Sequence, residues 1–219
     1  PTSLTVSNPT LSSVNLSWTD TNASNPSSWE VLVLPCGSAQ PNENLTGVSA
    51  TSNNSFLITG LQPSTCYIAY VRAVCSSTNK SFWSLGTTFY TSITNDNCEN
   101  AILLPVNNTS SCSIVTPVLL AGATPSALPL STTCQGVAND DVWFSFVATN
   151  ATLAISFQST IGGATSINHA VYSGDCNNLS LLYCNTANQV WSTATNLIVG
   201  NTYYIRVYST LNTPQNATF

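Results

Sequence analysis

The sequence predicts an all-β chain built as two tandem antiparallel β-sandwiches. Apolar residues alternate with polar ones at period two through most of the chain, and no stretch keeps a convincing helical spacing. Short alternating runs are separated by turn residues, as in sandwich folds. The length, 219 residues, accommodates two domains of roughly 100 residues each. A 43% hydrophobic content lets each bury a core. We place the first domain at residues 1–92 and the second at 93–219.

In the first domain, Leu4 and Val6 begin one strand, and Val14, Leu16 and Trp18 share a face of the next. Trp29, Val31 and Val33 share a face of a third. Phe56 and Ile58 lead into Gly60 and a turn at Pro63. The run Leu61 to Cys75, LQPSTCYIAYVRAVC, joins a Leu-x-Pro-x-Thr-x-Tyr turn to a strand alternating Tyr67, Ala69, Val71 and Ala73. Phe82 to Tyr90 supplies the last strand.

That turn, read with the LSW of Leu16 to Trp18, resembles a fibronectin type III domain. The resemblance implies an extracellular sandwich in which Trp18 belongs to the core. It also implies that Tyr67 forms a tyrosine corner, its hydroxyl bonded to backbone upstream. In this fold the strand of Trp29 and the strand of Tyr67 are antiparallel neighbours. Parity then sends Cys66, Ile68, Tyr70 and Arg72 outward, together with Glu30, Leu32, Leu34 and Cys36. Cys36 and Cys66 are expected to meet as a cross-strand disulfide. Leu32, Leu34, Ile68 and Tyr70 form an outer apolar stripe, read either as scattered surface residues or as a contact face for a neighbouring module or subunit. Cys75 has no evident mate in this domain. Similar bacterial modules imply a partner for it outside the sequence given.

Thr91 to Asn97, TSITNDN, forms a polar junction in which Asn95, Asp96, Asn97 and Glu99 gather oxygen-bearing side chains. Calcium at Asp96 and Glu99 is one reading, and ordinary turn chemistry is the other. In the second domain, Val142, Phe144 and Phe146 oppose Trp143, Ser145 and Val147. Leu153, Ile155 and Phe157 alternate likewise, as do Tyr203, Ile205 and Val207. These are strands of an antiparallel sandwich. Cys176 and Cys184 bracket a short loop and are expected to pair across it. That leaves Cys98, Cys112 and Cys134, an odd set with partial pairing among themselves.

From Asn95 onward, NDNCENAI, DDVWFSFVAT, VYSGDCNNLSLLYC and GNTYYIRVYS resemble the pre-peptidase C-terminal-like (PPC-like, jelly-roll) modules of secreted Bacteroidetes-type proteins. The resemblance implies a further strand after Ala217 to Phe219. The second domain is therefore expected to lack its last strand, unless a neighbour's strand fills that edge.

Composition excludes several roles. Charged residues make up 5% of the chain, against about 25% in ordinary globular proteins. Ser, Thr, Asn and Gln must therefore supply the polar surface. Arg72, Lys80 and Arg206 are the only Lys or Arg residues, too few for the phosphate contacts of a nucleic-acid binder. No apolar run approaches the roughly 18 residues of a membrane-spanning helix. Eight cysteines without a Cys-x-x-Cys pair point to disulfides in an oxidising compartment rather than to zinc. Asn15, Asn22, Asn44, Asn53, Asn79, Asn107, Asn108, Asn150, Asn178 and Asn216 stand in Asn-x-Ser/Thr sequons, candidates for glycosylation.

Catalytic signals are thin. His169 is the single histidine and reads as a surface or satisfied residue rather than a triad member. Asp140 and Asp141 are adjacent, so on a strand they point to opposite faces and cannot flank a glycosidic bond. They read as the start of a strand or, alternatively, as calcium ligands. Trp191 is the best candidate sugar platform, with Tyr172 and Tyr183 nearby. The alternative is that Trp191 packs on the sandwich. The expectation is a non-catalytic structural or adhesive segment of a large secreted or cell-surface protein or extracellular fibre, without cofactors. Its partners would be neighbouring modules, copies of itself or glycans. The alternative is a carbohydrate-binding accessory region of a secreted hydrolase.

Overall fold

Alternation in the sequence becomes strand pairing in the computed structural model. It describes residues 1–20, 26–51, 54–109, 113–157, 161–162, 167–185, 191–213, 215 and 217–219, with backbone alone at 161–162. Asn22, Asn53, Cys112 and Asn216 lie outside the described residues. The chain divides into two units, Pro1–Ser92 and Ile93–Phe219. All regular structure among the described residues is β, apart from one 3-10 turn at Cys98–Asn100.

The first unit holds β1 (Thr2–Ser7), β2 (Ser13–Thr19), β3 (Ser28–Pro35), β4 (Val48–Ala50), β5 (Ser55–Thr59), β6 (Cys66–Val74) and β7 (Thr87–Tyr90). They form two antiparallel sheets, ordered β1-β2-β5 and β4-β3-β6-β7. Val14, Leu16 and Trp18 from one sheet meet Trp29, Val31, Ala69, Val71 and Ala73 from the other. The Trp18 and Trp29 rings lie 6.1 Å apart at this contact. The Tyr67 hydroxyl accepts a hydrogen bond from the Gln62 backbone N–H at 3.0 Å, fixing the turn that feeds β6. Cys36 and Cys66 are joined where β3 ends beside the start of β6.

The outer face of the β3–β6 pair is not an open stripe. Tyr70 is buried, Leu32, Leu34 and Ile68 are half-buried, and Arg72 is only 2% exposed. The expected last strand, Phe82 to Tyr90, is regular only over Thr87–Tyr90. Ahead of it, Ser81–Gly86 forms a strap along β6. Its Ser81 and Ser84 N–H groups donate to the Ala73 and Val71 carbonyls, both at 2.9 Å. The Ser81 and Ser84 hydroxyls accept the Ala73 and Val71 N–H groups in return, at 2.9 and 3.1 Å. Serine hydroxyls thus stand in for strap backbone carbonyls as acceptors in the ladder. Gly86 sits against Ile68 and Tyr70 so closely that a Cβ there would lie 2.6 Å from Ile68 Cγ2. Trp83 reaches over the sheet, and the Arg72 guanidinium lies 4.3 Å from its ring.

The second unit holds β8 (Ile102–Leu103), β9 (Asp141–Val147), β10 (Leu153–Ser156), β11 (Ile161–Gly162), β12 (Ile167–Asp175), β13 (Asn178–Cys184), β14 (Trp191–Ala194), β15 (Thr202–Ser209) and β16 (Ala217–Thr218). The main sheet is ordered β13-β12-β15-β9-β8, antiparallel except for β8 on β9. Among the described residues there are also two two-stranded sheets, β10-β14 and β11-β16, and a single bridge from Leu119 to Thr218. Phe144, Phe146, Ile205 and Val207 face the inner core, beneath an apolar cavity of about 430 Å³ bordered by Ile155 and Phe219. The opposite face of the main sheet is buried too, with Trp143, Tyr172 and Tyr208 under Leu128, Leu130 and Ala138. Burial on both faces explains why β9 carries large aromatics at successive positions.

Among the described residues, the disulfides of this unit are Cys98–Cys176 and Cys134–Cys184, not the expected Cys176–Cys184 pair. Nor do Cys98 and Cys134 pair with each other. The reason is the β12–β13 hairpin. Asp175 pairs with Asn178 at the turn, so Cys176 sits at its tip, whereas Cys184 pairs opposite Ala170. Cys184 lies six residue steps along the strand from Asn178, about 20 Å of extended chain, far beyond the reach of one disulfide. Cys75 is exposed and unbonded among the described residues.

Candidate functional site

The strap of the first unit is anchored from below by a buried ionic cluster. Glu30 on β3 accepts from Arg72 Nε at 2.8 Å and from Lys80 Nζ at 2.6 Å. Burial acts to raise the Glu30 pKa, but hydrogen bonds and charge from Lys80 and Arg72 outweigh it and hold the carboxyl below its ordinary value. Arg72 uses its remaining donors on the Glu43 and Leu45 carbonyls, at 2.7 and 2.8 Å. Trp83 Nε1 donates to the Asn42 carbonyl at 3.1 Å. Two covering segments are thereby tied to one guanidinium. What they present outward is apolar: Phe82 is 86% exposed and Leu85 87%, with Val48 and Leu45 also exposed. The apolar surface expected on the sheet thus reappears one layer further out. The signal for it was the SFWSLG run, where two large apolar residues flank a tryptophan and a serine.

Three acidic residues of the second unit, Asp96, Asp140 and Asp141, are committed to internal bonds. Asp96 accepts from the Thr124 N–H and hydroxyl, at 2.7 and 2.6 Å. Burial nevertheless leads in raising its pKa, against those bonds. Asp140 accepts from the Ser209 hydroxyl at 2.6 Å and the Gln215 N–H at 2.5 Å, and burial raises it likewise. Asp141 pairs with Arg206 Nη2 at 2.6 Å and also accepts from Ser126 and from Trp143 Nε1. Glu99 is exposed. Among the described residues no three His, Cys, Asp or Glu side chains converge on a metal position. The calcium readings for Asp96 with Glu99 and for Asp140 with Asp141 therefore gain no support. Asn95 is structural, its Nδ2 donating to the Trp143 carbonyl at 2.9 Å and its carbonyl accepting Trp143 N–H at 2.8 Å.

His169 lies inside the sandwich. Its Nε2 is 2.6 Å from the Ser192 hydroxyl, which is 2.9 Å from the Tyr183 hydroxyl. The Phe157 ring meets the imidazole edge-on at 5.4 Å. Burial without a charged partner lowers its pKa from 6.5 to about 4, so it is neutral at pH 7. Its Nδ1 has no hydrogen-bond partner among the described residues, so no carboxylate orients the ring as a triad requires.

The proposed sugar platform does not assemble as a trio. Trp191 is 63% exposed on β14 and is not packed on the sandwich. Tyr172 is buried against Trp143, with ring centroids 5.6 Å apart. Tyr183 is half-buried and bonded to Ser192. A separate cleft of about 530 Å³ opens between Ser173, Gly174 and Leu182 on one side and Asn196, Ile198, Asn201 and Thr202 on the other. The sequon residues Asn15, Asn44, Asn79, Asn108, Asn150 and Asn178 are exposed, and Asn107 is half-exposed.

Comparison with known proteins agrees with this architecture. Residues 1–90 match the model described as "Fibronectin type III domain". Residues 94–219 match a type IX secretion-associated model described as "Galactose binding domain-like". No curated protein matches the chain. Solved structures similar to it include a myokine structure at 20% identity, covering 40% of this chain and 90% of that one, with a TM-score of 0.34. The FN5 domain of Drosophila Lar is 21% identical over 42% of this chain and 92% of that one, with a TM-score of 0.34. The fn3 domain of human collagen alpha-1(XX) is 23% identical over 42% and 82%, with a TM-score of 0.33. The arrangement is thus a fibronectin type III domain followed by a second β-sandwich, and through that second module, residues 94–219, the chain belongs to the galactose binding domain-like family.

Proposed function

We propose that the chain is a non-catalytic structural or adhesive segment of a secreted or cell-surface protein, working outside the cell. The observation that carries this reading is the strap, where Phe82 and Leu85 stand exposed on a segment bonded to β6 through Ser81 and Ser84 and stacked on Arg72 through Trp83. Large exposed apolar side chains on a rigid support are contact points for another protein surface. The disulfides support an oxidising compartment. The internal commitment of Asp96, Asp140, Asp141 and His169 supports a role without chemistry. The partners are neighbouring modules or copies of the chain. Sedimentation of the native protein, with electron microscopy of the same fractions, tests this against a Phe82→Ser, Leu85→Ser double variant. Assemblies that dissociate in the variant support the reading. A monomer in both, with no partner retained by either, refutes it.

A second reading, glycan attachment through the second unit, is favoured by the exposed Trp191. Its test is a glycan-binding screen with Trp191→Ala as one comparison.

A further inference from the structure

A lane one strand wide lies open over the inner face of the main sheet in the second unit. We propose that it takes an extended β-strand donated by another protein chain, with apolar side chains at alternate positions. The proposal rests on the reading above that the partners are neighbouring modules or copies of the chain. Three observations meet there.

The first is the course of the strands. β16 runs antiparallel to β11, with Thr218 opposite Ile161, and Thr218 also bridges to Leu119. β16 therefore sits between β11 and residues 118–120. Upstream of β11 in the chain lies β10, and upstream of Val118 lie residues 114–117. The lane that β16 occupies runs on between those two stretches. Both border the cavity of about 430 Å³, together with Thr218 and Phe219. Among the described residues no strand fills the lane there.

The second is backbone left to pair. Val118 and Phe219 exchange both backbone hydrogen bonds, each at 3.0 Å. Two residues earlier, the Thr116 N–H and carbonyl make no hydrogen bond among the described residues. Two earlier again, Ile114 is satisfied by a side chain. Asn107 Oδ1 accepts its N–H and Asn107 Nδ2 donates to its carbonyl, both at 3.1 Å. An amide thus does for Ile114 what a strand would do for Thr116. Across the lane, β10 has β14 as a strand neighbour on one edge and none on the other among the described residues. Backbone groups along both sides call for a peptide, since an acyl chain would leave them unpaired.

The third is the floor. Phe144, Phe146, Ile205 and Val207 of the main sheet lie beneath the cavity, and Leu153 and Ile155 wall it. No Asp, Glu, Lys, Arg or His lines it among the described residues. Ala217 is buried and Thr218 exposed, so alternate side chains in this lane face the floor. A strand of about six residues matches the bordering residues 153–157 and sets about three side chains into the cavity. Those three must be apolar, and the others face outward.

The test is titration calorimetry of the chain with a short capped peptide that alternates valine and threonine. Two controls share its composition. One groups the valines in a block, and the other is N-methylated at every second residue, which blocks the N–H groups of one edge. The alternating peptide should bind and raise the melting temperature of the second unit, and both controls should bind at least about ten-fold more weakly. Thr116→Pro removes the unpaired N–H without breaking a hydrogen bond of the chain itself. That variant should keep the wild-type melting temperature and lose about ten-fold in affinity for the alternating peptide. Equal binding of the block peptide, or of decanoate, makes the cavity a plain apolar pocket and overturns the strand. No binding of the alternating peptide overturns it as well. The same peptide in excess should dissociate the native assemblies. Assemblies that survive a peptide bound by the isolated chain overturn donation between chains and leave the structural reading standing. A native protein that is a monomer without partners overturns both.

Discussion

Acid should loosen the second unit through His169, and the size of the effect follows from its surroundings. The ring is fully buried, accepts or donates one hydrogen bond with Ser192, and meets Phe157 and Tyr183 edge-on. Burial holds its folded pKa near 4, below the ordinary 6.5. The unfolded chain therefore binds the proton more readily. Stability from the neutral ring is fully present above pH 6.5 and is lost as pH falls toward 4. That gap of about 2.5 pH units corresponds to about 3 kcal/mol. Asp96 and Asp140 oppose part of the loss, since burial raises their pKa values and their protonation favours the folded form. The clean readout is therefore the difference between wild type and His169→Gln, which keeps a hydrogen-bonding group without the titration. Differential scanning calorimetry from pH 7 to 4.5 should show the wild-type second-unit transition falling by several degrees more than that of the variant, approaching roughly 10 °C over the whole window. Parallel curves for the two proteins would refute the buried neutral histidine.

Other consequences are equally direct. Non-reducing peptide mapping should recover Cys98 linked to Cys176 and Cys134 linked to Cys184; closing a 78-residue separation, the first should contribute about 4 kcal/mol, read as the loss in the Cys98→Ser, Cys176→Ser double variant. Asp141→Asn leaves Arg206 without its buried counter-ion and should destabilise the second unit by about 3–5 kcal/mol in urea unfolding. Gly86→Ala drives a methyl into Ile68 and Tyr70 and should cost about 1–3 kcal/mol while raising the hydrogen-exchange rate of the Val71 and Ala73 amides. Tyr67→Phe and Tyr203→Phe each remove the acceptor of one backbone N–H and should each cost about 1 kcal/mol, in different units.

Local pattern made the strands readable, and long-range partners decided the rest. The alternation of Val14, Leu16 and Trp18, and of Tyr67, Ala69, Val71 and Ala73, marks a buried face because side chains on a strand alternate by geometry alone. Parity says which face Tyr70 and Arg72 occupy, but not whether that face is covered. Covering depended on Ser81 and Ser84 bonding to β6, a use of serine that no hydrophobic pattern reports. Disulfide pairing failed for the same reason. Short loop length favoured Cys176 with Cys184, whereas hairpin register put them at opposite ends of β13. A second tyrosine corner, in which the Tyr203 hydroxyl accepts the Ile198 N–H at 2.8 Å, left a usable trace, since Leu197 stands six residues before Tyr203 as Leu61 stands six before Tyr67. Burial of His169 left none, because its neighbours Phe157, Tyr183 and Ser192 come from three separate strands or strand ends.

The two arginines show why the charge census was informative and incomplete. Each lies on the outer face of its sheet, pairs with an acid on the adjoining strand, and donates to at least one carbonyl of the covering segment. Arg72 pairs with Glu30 and holds Glu43 and Leu45; Arg206 pairs with Asp141 and holds Leu128. An indole ring lies beside each, Trp83 at 4.3 Å and Trp143 at 5.6 Å. A planar fork with several donors performs this task, and lysine, with a single ammonium, does not. Both arginines are thus consumed in holding an extra layer onto a sheet, in two modules of different family. Lys80, half-buried, is the one Lys or Arg side chain left near the surface, and it leans on Glu30. With cationic chemistry withdrawn inside, the charge left on the exposed surface is carboxylate, as at Glu43, Glu99 and Asp175, beside the exposed apolar Phe82 and Leu85 of the first unit.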